Sequence, residues 1–590
     1  MKGFKRSTSA VSLVILFCIA FPASASDIAA IAARQSIQAR HVPEMVANGA
    51  AAMTGRVDIQ QRLKLAINLP LRNQSELTQL LHDIYDSQSP GFHHYLSVQE
   101  FTDRFGATQM DYDSVVTWAN ANGFTVTGTT LNRRLVSIEG AVSVVNRAFN
   151  VTMTNYRHPT EDRVFFAPDR EPTIVGLNVP LLQITGMDNS VLPRTMLRYS
   201  STVVTNLTGS GPSGEYLPSD MRAAYYGNGP LTGAGQSIGI FSFNGYLSSD
   251  VQLYYTTTGM SSSVPINNVL VDGYNGNCTN LGAPSGYTGC YDPEQILDIV
   301  NAIGMAPGIT QIRFYEGSVG DDSGILNKMA TENIAKVISS SWSWNPADAA
   351  SDDPIFQEFA AQGQTYVNAS GDCGDYAGNC AAPAGTTPNP AYFFPGVDPY
   401  ILEVGGTDLT TTGPGGAWVA ETGWPQSGGG FVSGTPIPSW QQLPGVINSS
   451  NGGSSTLRNS PDVAAEANFD NVTVNNGTFS TGGGGTSFAA PRWAGLLALV
   501  NQRSVANGKG TVGFINGTLY SINHSAAFHD IVSGSNPSTG GGNSGFNAVT
   551  GYDLVTGWGS PVGATLVNQL AGTGTNLAAA LAPIINLLLQ

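Results

Sequence analysis

From residue 236 onward, the chain alternates short β-type runs with runs of apolar residues at helical spacing. Strands are predicted at 236–243, 311–315, 336–341 and 365–369, and helices at 294–303, 325–333 and 354–362. Such alternation favours an α/β fold, with a parallel sheet and helices on both of its faces. In folds of this kind, chemistry gathers at the C-terminal ends of the strands and in the loops after them.

The N-terminal part has a different pattern. Leu77, Leu81 and Ile84 recur at helical spacing, and Asn73 with Glu76 is predicted to form the capping box of that helix. An alternating strand and two further helices are also predicted, at 134–139, 115–119 and 141–149. These elements predict a compact α+β unit.

Three segments stand apart by composition. Residues 1–25 have a basic start, an apolar run and the small residues Ala23-Ser24-Ala25, which is typical of a signal peptide and predicts export. A membrane anchor is the alternative interpretation, but the apolar run is short for a membrane span. Residues 191–214 lie in a stretch rich in Ser, Thr, Gly and Pro, which indicates an exposed linker that holds a processing site. The apolar tail at 573–590 contains Pro583 and is too short for a membrane span, so we expect it to dock on the body or to be removed.

Cysteine usage agrees with export. Once Cys18 leaves with the signal peptide, four cysteines remain, and an even number in an exported protein predicts two disulfides. We expect near neighbours to pair, Cys278 with Cys290 and Cys373 with Cys380. Zinc is the alternative, but neither pair has a two-residue spacing or a nearby histidine.

Composition and charge narrow the possible partners. The chain has 70 glycines and only 12% charged residues, which suits a large globular body with many turns. Residues 201–590 carry 26 acidic and 8 basic residues. This excess repels nucleic acid and anionic membranes, and it would shrink in acid as carboxylates protonate. Either function at low pH or the solubility of an exported protein explains it.

A serine nucleophile is indicated by the segment GGGGTSFAAPRWAGLLALV at 482–500, in which Ser487 follows a glycine run and opens an apolar helix. A serine at a helix start is more commonly an N-cap. A nucleophilic serine needs a base, and subtilisins use a histidine upstream of it. Past residue 200 the histidines are His524 and His529, both downstream, so an active Ser487 requires a different base.

Carboxyl groups supply the alternative. Glu294 and Asp298 are four residues apart, which places them on one helix face, and close carboxylates raise each other's pKa. A carboxylate that shares a proton with its neighbour can accept one from a serine in acid. An acidic helix start favoured by the helix dipole is the competing interpretation. Asp372 follows a predicted strand in the turn Ser370-Gly371-Asp372, which by itself is an ordinary turn aspartate.

Taken together, these residues resemble a known family. The segment 485–491 is similar to the nucleophile segment shared by subtilisins and sedolisins, and Glu294, Asp298, Asp372 and Ser487 occur in the sedolisin order. Resemblance to this serine-carboxyl peptidase family implies a subtilisin-like sheet behind a ferredoxin-like α+β prodomain. It also implies that Ser487 is the nucleophile, that Glu294 is its base with Asp298 beside it, and that protonated Asp372 donates a hydrogen bond to the oxyanion.

The N-terminal part resembles the activation domain of these enzymes, in the segment SPGFHHYL at 89–96 and in the aromatic residues that follow. The implied organisation is a signal peptide (1–25), a prodomain (26–190), a linker with the processing site (191–214), a peptidase domain (215–572) and the tail (573–590). The prodomain would fill the cleft until acid triggers self-cleavage.

The resemblance also implies residues of the substrate cleft. Ser341 and Trp342 fall on the substrate-binding strand of the family, and Gly428 and Gly429 in its glycine-rich segment. Ser343 stands where a glycine is common, which leaves the selectivity of that subsite open.

A calcium site is implied near the C-terminus. Asp530 and Asp553 would bind one structural Ca²⁺ through their side chains, and Ile531, Val549 and Gly551 through their carbonyls. Oxygen ligands suit this hard cation. Val549 replaces a frequent glycine, which matters only if the position requires a positive φ.

The expected protein is a secreted, acid-acting, monomeric peptidase with protein or peptide substrates and its own propeptide as intramolecular inhibitor, without nucleic-acid or membrane partners. Endopeptidase activity is preferred over tripeptidyl-peptidase activity, which the same four residues can perform. A noncatalytic binding protein on a peptidase fold is the third interpretation.

Overall fold

In the computed structural model, residues 35–200, 207–284, 286–380, 389–390, 394–522 and 524–572 are described. The predicted signal peptide and apolar tail lie outside the described residues, as does the part of the predicted linker at 201–206. Within the described ranges, no helix is both long enough and apolar enough to cross a membrane.

The N-terminal part consists of short helices and antiparallel sheets. Its elements in chain order are β1 (Gln35–Ser36), α1 (Glu44–Ala47), β2 (Ala52–Arg56), β3 (Arg62–Asn68), α2 (Gln74–Tyr85), α3 (Val98–Phe105), α4 (Gln109–Ala121), β4 (Thr125–Thr129), β5 (Leu135–Ala141), α5 (Val142–Phe149), β6 (Met153–Arg157), β7 (Val164–Pro168), β8 (Thr173–Ile174) and β9 (Gln183–Thr185).

The main sheet of this part has the order β4-β5-β3-β9 and is antiparallel throughout. With helices between β3 and β4 and between β5 and β9, this is the ferredoxin-like arrangement, so the predicted α+β prodomain fold is confirmed. Val115 and Trp118 of α4 enter its core. Val145 and Phe149 of α5 pack against the same core, because the apolar positions of both helices recur on one face.

One predicted helix start is wrong in its details. Asn73 has the left-handed φ of 52° and makes no side-chain cap; its amide donates to the Arg104 carbonyl at 2.9 Å, and Glu76 pairs with the Arg104 side chain. A capping box forms instead at the start of α3, between Ser97 and Glu100. The tertiary contact with α3 thus outweighs the local cap at Asn73.

The remaining elements belong to the linker region and to the larger C-terminal part of the chain, which we call the body. They are β10 (Arg194–Thr195), β11 (Arg198–Tyr199), α6 (Pro218–Tyr225), β12 (Ser237–Ser242), α7 (Ser248–Thr258), β13 (Ile266–Leu270), α8 (Pro293–Met305), β14 (Gln311–Glu316), α9 (Asp322–Glu332), β15 (Val337–Ser340), β16 (Trp342–Ser343), α10 (Ala349–Ala361), β17 (Thr365–Ala369), β18 (Asn379–Cys380), β19 (Asn389–Pro390), β20 (Ile401–Thr411), β21 (Trp418–Gly423), β22 (Gly430–Pro436), β23 (Leu457–Ser460), β24 (Val463–Glu466), β25 (Asn471–Asn475), β26 (Thr478–Gly484), α11 (Thr486–Ala506), α12 (Asn516–Leu519), α13 (His524–Ala527), β27 (Phe528–His529), β28 (Ser560–Pro561) and α14 (Gly563–Ala571).

The body is built on a sheet of order β13-β14-β12-β15-β17-β20-β21, with β24 also paired to β20. All of its pairs are parallel except β20 with β21. Ile238 and Ile240 of β12 join the core beneath α8 and α11, whereas Phe241 joins the opposite core beneath α9 and α10. Helices therefore cover both faces, and the predicted subtilisin-like α/β class is confirmed.

The N-terminal part is docked on the body. Phe101 and Phe105 of α3 pack with Ala360 and Ala361 of α10 in one apolar cluster. Polar contacts continue this interface: the buried Asn132 amide donates to Asn327 at 2.6 Å and to Glu358 at 2.8 Å. Because these groups are buried by the contact, the two parts share one interior.

Both predicted disulfide pairings are confirmed. Cys278 is bonded to Cys290, and Cys373 to Cys380. The second bond closes a short loop directly after Asp372, so it ties the turn that follows β17.

A buried carboxyl group gives the body a pH-dependent stability. Glu316 ends β14, is fully buried, and has no hydrogen-bond partner for either carboxylate oxygen among the described residues. Burial raises its pKa from 4.5 to about 7. The folded chain therefore holds a proton that the unfolded chain releases, and the stabilisation is present in acid and lost as the pH rises through about 7.

We expect Glu316→Gln to remove part of this dependence in a Ser487→Ala background, which keeps the precursor intact. Between about pH 4 and about pH 8, the variant should gain on the order of 2 kcal/mol in free energy of unfolding relative to its parent. Denaturant unfolding at both pH values measures this, and Glu44→Gln, with a side chain 75% exposed, is the control. An equal effect of Glu316→Gln at both pH values would contradict the raised pKa.

Candidate active site

Ser487 is the second residue of α11, and the N-cap position belongs to Gly485. The interpretation of Ser487 as a cap is therefore not supported. Its side chain is fully buried, and its hydroxyl closes no hydrogen bond with any described residue. Its backbone N–H donates to the carbonyl oxygen of Met196 at 3.3 Å. The serine thus lies at a helix N-terminus, with a free hydroxyl and an N–H aimed at a carbonyl.

The carboxyl pair of α8 faces this serine. Glu294 and Asp298 are both at least 98% buried, and α8 packs lengthwise on α11. The Ser341 hydroxyl donates to Asp298 at 2.6 Å. The hydroxyls of Ser487 and Thr195 lie near Glu294 and oppose the rise in its pKa, but neither closes a hydrogen bond with it in this conformation.

Burial raises the pKa of both carboxyl groups well above the ordinary range, and the charge of Asp298 adds to the rise at Glu294. No cationic side chain forms an ion pair with either group within the described ranges. Two close buried carboxyl groups without a cation cannot both ionise, so they titrate as a pair that shares a proton.

Asp372 approaches the serine from the C-terminal end of β17. Its Oδ1 accepts hydrogen bonds from the Thr486 N–H at 2.8 Å and the Thr486 hydroxyl at 2.9 Å. Its Oδ2 has no hydrogen-bond partner among the described residues, and Arg198 Nε lies 4.0 Å from it. Burial raises the pKa of Asp372 to about 7, and Arg198 opposes that rise. Below neutral pH, the group carries a proton that it can donate.

The predicted cleft residues occupy two places. Ser341 directly follows β15 and contacts Asp298, whereas Trp342 begins β16, pairs with Thr195 and packs its ring against Phe243. Gly428 donates its N–H to the Gly371 carbonyl at 2.6 Å, and the backbone around Gly429 lies so close to Leu554 that a side chain would collide with it. These glycines thus support the turn that carries Asp372.

The two downstream histidines are engaged elsewhere. His524 stacks on Trp558 with 3.4 Å between ring centroids, and His529 stacks on Trp418 at 3.9 Å. Burial lowers the pKa of His529 to about 4. Neither ring contacts Ser487, so the carboxyl groups are the candidates for its base.

The chain is similar to known proteins over most of its length. The family described as "Pro-kumamolisin, activation domain" matches residues 50–179, and the "Subtilase family" matches residues 297–519. Kumamolisin of Bacillus sp. (strain MN-32) is 30% identical, over 90% of this chain and 94% of its own length. The chain belongs to the sedolisin family of serine-carboxyl peptidases.

Other relatives agree with this membership. Sedolisin of Pseudomonas sp. (strain 101) is 29% identical, over 84% of this chain and 85% of its own length. Xanthomonalisin of Xanthomonas sp. (strain T-22) is also 29% identical, over 86% of this chain but only 65% of its own length. Relatives named tripeptidyl-peptidase are 23 to 29% identical. As a family member with an activation domain, the chain is a zymogen of a serine-type peptidase, and its propeptide acts as an intramolecular inhibitor.

Sequence reasoning missed the segment that fills this sedolisin-type site. Residues 191–214 were expected to form an exposed linker, yet Met196 and Leu197 are buried and β10 and β11 pair with β16 and β26. The extended run RTMLRY has apolar residues flanked by basic ones, which carries no regular period. Only its partners, more than a hundred residues away, determine its conformation.

The region predicted to bind calcium brings its two aspartates to one loop. Asp553 accepts a hydrogen bond from Val549 N–H at 3.0 Å, and Asp530 accepts one from Gly551 N–H at 3.1 Å. Neither carboxylate has an ion-pair partner in the part of the chain that is described. Val549 is not among the residues with positive φ, so its replacement of a glycine is tolerated. The two carboxylates and the carbonyl oxygens of this loop are all oxygen donors, the ligand type that suits a hard cation such as Ca²⁺.

Gly485 offers a test of the contact between the segment at 194–200 and Asp372. Its φ is 133°, and a Cβ there would collide with the Met196 carbonyl and lie 2.7 Å from Asp372 Oδ2. We expect Gly485→Ala to lower peptidase activity by about a hundredfold or more, because a carbonyl could no longer approach Asp372.

Gly477→Ala is the matched control for that measurement. Gly477 has a φ of 76°, and no heavy atom lies within 4 Å of its Cβ position. Both variants carry the cost of a side chain at positive φ, but only Gly485→Ala adds the collision. Similar turnover in the two folded variants would contradict the importance of this contact.

Proposed function

We propose that this chain is the precursor of a secreted endopeptidase that hydrolyses proteins and peptides in acid through an acyl-enzyme on Ser487. The observation that carries this proposal is the burial of the Ser487 hydroxyl against Glu294, with neither group engaged by another hydrogen-bond partner. Sedolisin-family membership and the apolar leader at 1–25 support peptide substrates and export, and we propose that the enzyme acts as a monomer.

In the proposed mechanism, Ser487 Oγ attacks the substrate carbonyl while Glu294 accepts its proton. Asp298 shares a proton with Glu294 and is positioned by the hydroxyl of Ser341. Glu294 then delivers the proton to the departing amine, and water hydrolyses the acyl-enzyme in the reverse sense. An open hydrogen bond between nucleophile and base is common before substrate tightens the site.

Asp372 is proposed to stabilise the oxyanion together with the N–H of Ser487. To donate through Oδ2, Asp372 must be protonated, and its pKa of about 7 makes the neutral form dominant in acid. Turnover should therefore fall as the pH rises through about 7. Turnover should also fall in strong acid, once Glu294 and Asp298 are both protonated and no acceptor remains.

Endopeptidase activity is proposed over tripeptidyl-peptidase activity because of the chain that lies in the cleft. Residues 194–196 lead to the serine along β16, and the chain continues on the N-terminal side of Arg194. A cleft that accepts more than three residues ahead of Ser487 suits cleavage within a chain. Release of tripeptides from the free N-termini of substrates would overturn the proposed endopeptidase activity. The proposed acyl-enzyme mechanism at Ser487 would be unaffected by that result.

A Ca²⁺ ion is proposed at the C-terminal loop, held by the side chains of Asp530 and Asp553 and the carbonyls of Ile531, Val549 and Gly551. When bound, the ion would supply positive charge that neutralises two carboxylates and ties residues 549–553 to the body. Its role is structural, since no step at Ser487 uses it.

The roles of the carboxyl groups can be separated with isosteric amides. We expect Asp372→Asn to keep measurable activity on casein at about pH 4, because an amide still donates a hydrogen bond, and its activity should extend toward pH 8. Glu294→Gln should be inactive at both pH values, because an amide cannot accept the serine proton. Asp372→Ala should lose about a hundredfold to a thousandfold in kcat.

Ser487→Ala is the control that identifies contaminating activity. Glu294→Gln that stayed active while Asp372→Asn was dead would make Asp372 the base and contradict the assignment. A wild-type chain inactive on casein at either pH, after removal of its propeptide, would favour the noncatalytic binding protein.

Calcium removal should lower stability and leave the chemistry at Ser487 intact. At a hundredfold excess of Ca²⁺ over its Kd, the ion should contribute about 2.7 kcal/mol to the free energy of unfolding. Thermal unfolding with Ca²⁺ and with a chelator measures this, and Asp530→Asn should abolish the difference while the control Asp162→Asn, at a side chain 91% exposed, keeps it. Equal melting temperatures with and without chelator would contradict the site.

A further inference from the structure

Residues 194–200 lie across the active site as an extended strand bound on both sides. Before Met196 the strand pairs antiparallel with β16, Arg194 opposite Ser343 and Thr195 opposite Trp342. After Leu197 it pairs antiparallel with β26, Arg198 opposite Gly484. This is how a peptide binds by strand addition, with the backbone giving the register.

The register places one particular carbonyl at the nucleophile. The Met196 N–H donates to the Ser341 carbonyl at 3.0 Å, and the Met196 carbonyl accepts from the Ser487 N–H at 3.3 Å. A Cβ atom at Gly485 would contact both Asp372 Oδ2 and the Met196 carbonyl oxygen, so these two oxygens lie on the same side of Gly485. The two groups that would bind an oxyanion at Ser487 thus converge on the carbonyl of Met196, and on no other carbonyl of the described segment.

Side chains on both sides fit the same placement. The Thr195 hydroxyl faces Glu294, and the buried Met196 side chain joins the main core of the body. Leu197 packs with Leu297 of α8 and Phe488 of α11 in a separate apolar cluster. Leu197 therefore occupies an apolar pocket on the leaving-group side of Ser487.

The chain after residue 206 is anchored away from the serine. Thr208 Oγ1 lies 3.0 Å from Thr411 Oγ1, and the Ser210 N–H donates to Asp220 at 2.8 Å. These contacts belong to the body, so a cut upstream of them would free the prodomain and leave the body with an anchored N-terminal segment.

We propose that the precursor first cleaves itself at the Met196–Leu197 peptide bond, an inference that rests on the proposed function of Ser487. Ser487 Oγ bonds to the Met196 carbonyl carbon, and its proton passes to Glu294. The bond from that carbon to the Leu197 nitrogen breaks, and the nitrogen takes the proton as an amine. Water then hydrolyses the ester and leaves Met196 with a free carboxyl group.

The same placement assigns a preference to the mature enzyme. The Leu297 and Phe488 pocket accepts an apolar side chain directly after the cleaved bond, and the strand register of β16 and β26 carries no requirement for a free N-terminus. The substrate class is therefore an extended peptide segment with an apolar residue on the leaving side.

Intact-mass spectrometry after acidification of the purified full-length precursor tests the cleavage site. The first fragment pair should end at Met196 and begin at Leu197, and the first-order rate constant of its appearance should not change with precursor concentration, because the strand belongs to the same chain. Ser487→Ala precursor should yield neither fragment. A first cut at any other bond, or an apparent first-order rate constant that rises with precursor concentration, would overturn the proposal.

Two variants of Leu197 distinguish an effect on cleavage of the Met196–Leu197 bond from an effect on folding. Leu197→Pro removes the N–H of the leaving nitrogen and should slow the first cleavage by about a hundredfold, whereas Leu197→Ile keeps the amide and the apolar side chain and should be cut at residue 196 at nearly the wild-type rate. Unchanged cleavage at this bond in Leu197→Pro would contradict the assigned geometry.

Casein hydrolysis by the same wild-type preparation distinguishes a wrong processing site from a wrong proposed function. Acid activity on casein together with a different first cut overturns the Met196–Leu197 site and leaves the proposed function intact. Cleavage at Met196 in the Ser487→Ala precursor, or absence of both self-cleavage and casein hydrolysis, overturns the proposed function and the processing site together.

Discussion

The structure of this site depends on the burial of three carboxyl groups, of which Glu294 and Asp298 have no cationic partner among the described residues and Asp372 has only Arg198 at 4.0 Å. Glu294, Asp298 and Asp372 surround one serine, and each is buried almost completely. Burial of an isolated carboxylate costs several kcal/mol of free energy. These carboxyl groups therefore keep their protons at pH values well above their ordinary pKa. The same constraint favours a protonated Asp372 and a proton shared between Glu294 and Asp298, which are the two states that the proposed acid peptide hydrolysis requires.

The fold supplies this burial from elements far apart in the chain. Helices α8 and α11 pack along each other and bring their N-termini together, where the positive ends of their dipoles favour whatever negative charge develops. Strands β15 and β17 end beside them and contribute Ser341 and Asp372. The strand at 194–200 lies across the cleft in the precursor, where the Ser487 side chain is fully buried.

Much of this arrangement could be predicted from local patterns, because strands such as 365–369 are short runs of β-type residues between turns. Helices α9 and α10 begin earlier than predicted, since their first turns contain buried polar residues, Asp322 and Asp352, that resemble loop residues in the sequence. The conformations of Asn73 and of the strand at 194–200 could not be predicted from the sequence. Both are determined by tertiary contacts and not by neighbouring residues in the chain. The four site residues were indicated by motif resemblance, and the structure brings their side chains to one place. Their chemical roles, like the calcium ion, stay proposals.

The protonation state of Asp372 is the most direct test of this account. Infrared difference spectra of the Ser487→Ala protein across a pH titration, compared with the same protein carrying Asp372→Asn, isolate the carbonyl stretch of this single carboxylic acid. The account predicts a neutral-carboxyl band that persists until about pH 7 and is missing in the Asp372→Asn protein. A band at Asp372 that disappears near the ordinary value of 3.8 would contradict it, because a charged Asp372 could not donate to the oxyanion.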